Sequence, residues 1–347
     1  MKRILTILVI AMAVTAHADS RRTFAAFGDW PYSTDLYNAA PQLIASINGD
    51  KDVSLVIHVG DIHSGSMPCI GAGLTPLPTG SDPQWNTKIY NLFAQFEDPF
   101  VYTPGDNEWT DCHKKKEFLS GAPMNELAAV RALFFAHPGF TLGLHPKRVL
   151  SQANLVNAAN SGDAKFVENV LWTDAQIVYV TLNVPGSNND GIAWTAPFTD
   201  ETARTAEVAQ RNAANLRWLD AAFGIARLTR AKGIVIAIQA DMWDPAALDT
   251  GGDGLNGYDE LVRRLAERTA AFGKPVLLLN GDSHVYEADH PLADPNSAMG
   301  KIHGATAAPN LTRITVQGST NAKEWLKVTI DPSTKDVFTW QRIQYLP

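Results

Sequence analysis

An α/β fold is expected from three observations. Short apolar runs alternate with helix-like stretches, five of those runs close on an aspartate, and polarity begins to alternate residue by residue near the C-terminus. In chain order, residues 22–29, 53–61 and 100–106 read as buried strands, with helices expected over 36–48, 84–96 and 125–135. Residues 166–184 read as two strands turning at Thr173-Asp174. A long helix follows over 199–228, then a strand over 234–241, a helix over 258–272 and a strand over 276–282. Residues 312–317, 325–330 and 336–343 alternate as antiparallel strands do, with Asp331-Pro332-Ser333 as a hairpin turn.

Composition narrows the class. At 347 residues, 45% hydrophobic and 19% charged, the chain is too apolar and too weakly charged for disorder. Residues 1–18 carry a basic start (Lys2, Arg3), an apolar stretch and Ala16-His17-Ala18, the pattern of a cleaved secretory signal. No other run is long enough to span a membrane, so residues 19–347 are read as one exported domain, periplasmic or extracellular. Losing Lys2 and Arg3 shifts the formal charge from −7 to −9, and no clustered basic face suggests a nucleic-acid partner. Lys114, Lys115 and Lys116 read as a solvated helix face. An oxidising compartment makes Cys69 and Cys112 a candidate pair.

The chemistry lies at the strand ends. Gly28-Asp29, Gly60-Asp61, Gly105-Asp106, Ala240-Asp241 and Gly281-Asp282 each finish an apolar run. Carboxyl ends of parallel strands converge on one crevice, and carboxylates gathered there repel one another unless protonated or neutralised. A bound divalent cation is the economical solution. His284 stands two residues after Asp282, Asn107 and Glu108 follow Asp106, and Gln239 shares a strand face with Asp241. Nucleophile-elbow, P-loop and zincin signatures are all missing. Residues 249–260 approach a calcium-loop pattern but have Gly at the third position, and a Gly-rich loop at the crevice rim is the better reading. Trp85, Trp109, Trp194 and Trp243 lie near the acidic strand ends, where ordinary packing explains each.

In their order, Gly28-Asp29-Trp30, Gly60-Asp61-Ile62-His63, Gly105-Asp106-Asn107-Glu108, Gln239 and Gly281-Asp282-Ser283-His284 resemble the motif series of the calcineurin-like metallophosphoesterases. The first motif is similar to that of the purple acid phosphatase branch. The resemblance implies a two-layer β-sandwich flanked by helices, with the C-terminal strands in its second sheet. It implies two metal ions held by Asp29, Asp61, Asp106, Gln239, Asp282 and His284, with Asp61 bridging. It also implies hydrolysis of a small phosphorylated substrate by a metal-activated hydroxide. In that topology the loops carrying Cys69 and Cys112 run side by side, so a disulfide between them is expected.

The departures concern histidine. Pro31, Asn107, Gln239 and Asp282 stand where the family carries histidines, and Ser64 replaces the acid or tyrosine closing the second motif. Oxygen donors favour Mn²⁺, Mg²⁺ or Ca²⁺ over zinc. With Asn107 in the catalytic histidine's place, His63 and Glu108 are the candidate acids for the leaving oxygen. A non-catalytic module binding metal or a phosphorylated ligand on the same fold is the alternative.

Overall fold

The computed structural model describes residues 21–156, 158–249, 254–319 and 322–346. The signal-like residues 1–18 and residues 250–253 of the calcium-loop-like stretch lie outside them. Continuous apolar runs form β1 (Arg22–Phe27), β2 (Val53–His58) and β3 (Phe100–Tyr102). They are followed by β4 (Leu150–Ser151), β5 (Val170–Asp174), β6 (Ile177–Thr181), β7 (Gly233–Ala237) and β8 (Val276–Asn280). β9 (Glu287–Asp289), β10 (Leu311–Thr315), β11 (Glu324–Ile330) and β12 (Phe338–Gln344) complete the set.

Among the described residues these strands form two sheets, ordered β12-β11-β1-β2-β3 and β4-β5-β6-β7-β8-β10-β9. Within the first, β1, β2 and β3 are parallel; within the second, β6, β7, β8 and β10 are parallel. The C-terminal strands are therefore divided between the sheets. β11 and β12 pair antiparallel onto β1, whereas β10 lies parallel to β8. Alternating polarity marks a strand with unequal faces and does not say which sheet it joins. The β5–β6 turn falls at Ala175-Gln176, both at positive φ, two residues beyond the expected turn and without a Gly or Asn to mark it.

The inner faces pack against each other through Phe24, Ile57 and Val101 on one sheet and Tyr179, Val235 and Leu279 on the other. Outside the first sheet, Phe27, Val56 and Tyr102 bury against Leu43, Ile47, Phe93 and Phe134 of the helices Ala40–Gly49, Trp85–Phe93 and Pro123–Phe134. Outside the second, Val178, Ile236 and Leu278 bury against Trp218, Phe223, Val262 and Leu265 of the helices Glu201–Leu228 and Asp259–Phe272. The result is the helix–sheet–sheet–helix order of the expected sandwich.

Local chemistry sets the helix limits. The Asp200 carboxylate accepts the Ala203 N–H at 2.9 Å to start the long helix, and Gly273 at φ 68° stops the helix ending at Phe272. The helix expected over 36–48 is split at Ala39, because Pro41 enters the first turn of a new one. No helix among the described residues is long and apolar enough to cross a membrane.

Candidate metal centre

Strand ends from both sheets meet at one edge of the sandwich. The β1, β2 and β3 ends deliver Asp29, Asp61 and Asp106, while the β7 and β8 ends deliver Gln239, Asp241 and Asp282. Asp29, Asp61 and Asp282 all adopt positive φ (48°, 59° and 73°), as does His284 (67°). Left-handed backbone occurs at other non-glycine positions too, but four such residues gather at this one edge, as happens where surrounding structure over-determines the geometry. The preceding glycines serve close approach: a Cβ on Gly105 would lie 2.0 Å from Asp61 Oδ1, and one on Gly281 2.1 Å from Asp29 Oδ2.

Donor atoms of Asp29, Asp61 and His284 lie within 4.8 Å of one another. Asp29 accepts the Asp282 N–H at 3.1 Å, and His284 Nε2 stands 3.4 Å from Asp29 Oδ1. Asp61 accepts the backbone N–H of Asn107 at 3.1 Å and its side-chain NH₂ at 2.8 Å. The second group is Asp106, Gln239 and Asp282. Gln239 Nε2 donates to Asp106 Oδ1 at 3.0 Å and to Asp282 Oδ1 at 3.2 Å, while its carbonyl oxygen accepts the Gly186 N–H. As placed, Gln239 offers these carboxylates donors rather than offering an ion its oxygen.

Burial pushes the carboxyls of Asp29, Asp61, Asp106 and Asp282 above the usual range, Asp29 to about 8, and neighbouring acids add to the rise. Asp241 differs: its partner is the fully buried Arg313 guanidinium, also held by Glu287 and Asp289. Asp241 anchors the site through its backbone, whose N–H donates to Asp282 Oδ2 at 3.1 Å. Three buried carboxyls and the partly buried Asp282, without a basic partner of that kind and closed in by glycines that leave no room for a methyl, suit one or two hard cations.

His63 and Glu108 do not reach the cavity. His63 is buried, its Nδ1 3.1 Å from the Ser64 carbonyl, and burial lowers it to about 4. Glu108 is buried beneath the β3 turn, where it accepts the Tyr102 hydroxyl at 2.5 Å and the Gly105 N–H at 2.6 Å. Neither is placed to protonate a leaving group. The four tryptophans pack away from the cavity as well.

Four contributors escaped the sequence reading. The buried Tyr32 hydroxyl donates to Asp61 Oδ2 at 2.5 Å, and its ring meets His284 edge to face at 5.2 Å. Ser187, in a left-handed turn over residues 187–190, donates to Asp106 Oδ2 at 2.7 Å. Lys115 and Lys116 are exposed as a solvated face would be, but Lys114 and Lys116 also pair with the buried Asp111, at 2.6 and 3.0 Å, and Lys116 lines the cavity. An aromatic three residues after an acid and a serine in a distant loop carry no spacing signal; only the proximity of the lysines to Asp106 offered one.

The cavity, about 610 Å³, opens over Asp61, Asp106, Asp282 and His284. Cys69 and Cys112 form the expected disulfide, with Cα atoms 5.7 Å apart, tying the loop after Asp61 to the one after Asp106.

Among solved structures, the chain resembles Plasmodium GAP50, described as the anchor in the inner membrane complex (TM-score 0.45, 11% identity, 93% of this chain and 89% of that one). It also resembles the Haemophilus influenzae NAD nucleotidase (TM-score 0.43, 10% identity, 93% and 55%) and the Thermus thermophilus 5'-nucleotidase precursor (TM-score 0.41, 10% identity, 93% and 54%). It spans about half the length of the two nucleotidases. No curated protein sequence matches it significantly. A family model for calcineurin-like phosphoesterases matches residues 22–196, just over half of the sequence and inclusive of the first three strand-end acids, and the chain belongs to that family.

Proposed function

We propose that the chain is an exported phosphoesterase that uses divalent ions of the hard type, Mn²⁺, Mg²⁺ or Ca²⁺, to hydrolyse a small phosphate ester. The carrying observation is the convergence of Asp61, Asp106 and Asp282 from both sheets on one open cavity, with Asp29 buried beside Asp61 and His284. Asp29, Asp61 and His284 would hold one ion, and Asp106 and Asp282 a second, with Asp61 between the two sets. Ions held there supply a Lewis acid and a nucleophilic water at neutral pH. Asn107 and Tyr32 orient Asp61 through hydrogen bonds, and Gln239 fixes Asp106 relative to Asp282. The disulfide agrees with an oxidising compartment. Residues 19–347 are read as one domain because β11 and β12 complete the sheet begun by β1.

One observation favours the second reading, a non-catalytic binding module. The Asn107 amide is committed to Asp61, Tyr32 and the His63 carbonyl, leaving no titrating acid at that position. A panel of phosphomonoesters and phosphodiesters assayed with each cation separates the two. Turnover lost in Asp61→Asn and Asp282→Asn, with their metal content falling in parallel, is the enzyme's result. Stoichiometric metal without turnover of any ester is the binding module's.

A further inference from the structure

Among the described residues lining the cavity, Lys116 is the one lysine or arginine; the other charged walls are Asp61, Asp106, Asp241, Asp244 and Asp282. Its neighbour Lys114 is spent, with only 18% of its side chain exposed and its ammonium held by Asp111 and by Ser187 Oγ at 2.6 Å. Lys116 keeps 52% exposure, touches Asp111 Oδ2 at 3.0 Å and lies 3.9 Å from Glu117 Oε1, leaving ammonium protons for another partner on its open side. Lys116 is thus a single ammonium set on the rim of a cavity whose other charged walls are acidic. Partial burial would lower the Lys116 ammonium, but Asp111, with Asp106 and Glu117, more than reverses this and raises it, so it remains a cation throughout the neutral range.

The position of the charge is specific. A methyl group on Gly65 would lie 2.6 Å from Asn107 Oδ1, 3.0 Å from Lys116 Nζ and 3.3 Å from Glu117 Oε1, so the three side chains close on a gap that glycine leaves open, with Glu117 itself buried. Asn107 cannot supply a titrating proton there, and His63 and Glu108 are buried elsewhere.

We propose that Lys116 is a catalytic residue whose ammonium contacts the leaving-group oxygen of the ester. The inference rests on the phosphoesterase reading. As the bond from water oxygen to phosphorus forms and the ester P–O bond breaks, the electron pair stays on the leaving oxygen. Lys116 balances that charge without giving up its proton. The leaving oxygen takes a proton from solvent, and the attacking water releases one.

The test is a series of aryl phosphates of rising leaving-group pKa, ending in an alkyl phosphate, hydrolysed by the full chain and by Lys116→Met and Lys116→Arg. Lys116→Met is expected to lose about tenfold in kcat on the best leaving group and about 10²–10³-fold on the alkyl ester. Lys116→Arg should recover most of the loss, with metal content unchanged in both. Affinity for inorganic phosphate, which has no leaving group, should move less than about twofold by calorimetry. A loss uniform across the series, a loss confined to KM, or phosphate affinity falling in step with kcat overturns the assignment. Wild-type turnover with unaltered Lys116→Met overturns it while leaving the phosphoesterase reading intact. A wild-type chain inert toward every ester removes both.

Discussion

At the scale of residues, the site is shaped by what is missing from side chains as much as by what they carry. Gly105 lets Asp61 Oδ1 occupy the space a Cβ would need, a contact of 2.0 Å that no real Cβ makes. Gly105→Ala is therefore expected to displace Asp61, costing roughly 1–3 kcal/mol of stability and most of the metal affinity. Denaturant unfolding and elemental analysis of the variant check both parts, and wild-type metal content in a stable Gly105→Ala protein would show that Asp61 is not where ions bind. The strand-end acids were legible in the sequence because each interrupts an apolar run, although one of the five, Asp241, is held in an ion pair with the buried Arg313. Their surroundings were not. Tyr32 and Ser187 gain their roles from where a turn and a distant loop fold back, and nothing in a linear pattern encodes that. Glu108 misled for the opposite reason. It stands beside Asp106 in sequence, yet it is turned inward to satisfy Tyr102 and Gly105.

At the scale of elements, the loops after β2 and β3 build one wall of the cavity, and their connection is covalent. Closing a separation of 43 residues, the Cys69–Cys112 bridge restricts the unfolded chain by an amount worth about 2–4 kcal/mol. Replacing both cysteines with serine is expected to lower unfolding stability by that amount. The backbone arrangement of the strands, read by circular dichroism, should persist, because both sheets bury their own apolar faces without the bridge. A double variant as stable as the wild type would mean the loops are held by their other contacts, such as the Cys69 N–H to Ser120 Oγ bond of 2.7 Å. Element existence was readable from apolar runs and helix caps. Sheet membership was not, since β10 and β11 differ in partners and direction while sharing the same kind of alternation.

At the scale of the molecule, the fold concentrates negative charge where two sheets end, and this couples metal, protons and stability. Asp29, fully buried and raised chiefly by desolvation to about 8, has an unfolded value near 3.9. Its folded-state proton is retained where the unfolded chain has released it, so in metal-free protein the stability it contributes is present below about pH 4 and is lost as pH rises toward about 8. Asp61, Asp106 and Asp282 shift in the same direction and widen the effect. If the site binds divalent cations as proposed, they compete with those protons for the folded chain, so their stabilisation should grow with pH over the same window. In thermal unfolding, the melting temperature of chelator-treated protein is expected to fall between about pH 5 and about pH 8. That of protein in excess Mn²⁺ should hold nearly level, so the gap between the two widens. Asp29→Asn removes one of the protons and should narrow that gap. If the gap stays constant with pH, the carboxyls are already ionised in the folded, metal-free chain, and their charge must be balanced by something other than the ions proposed here.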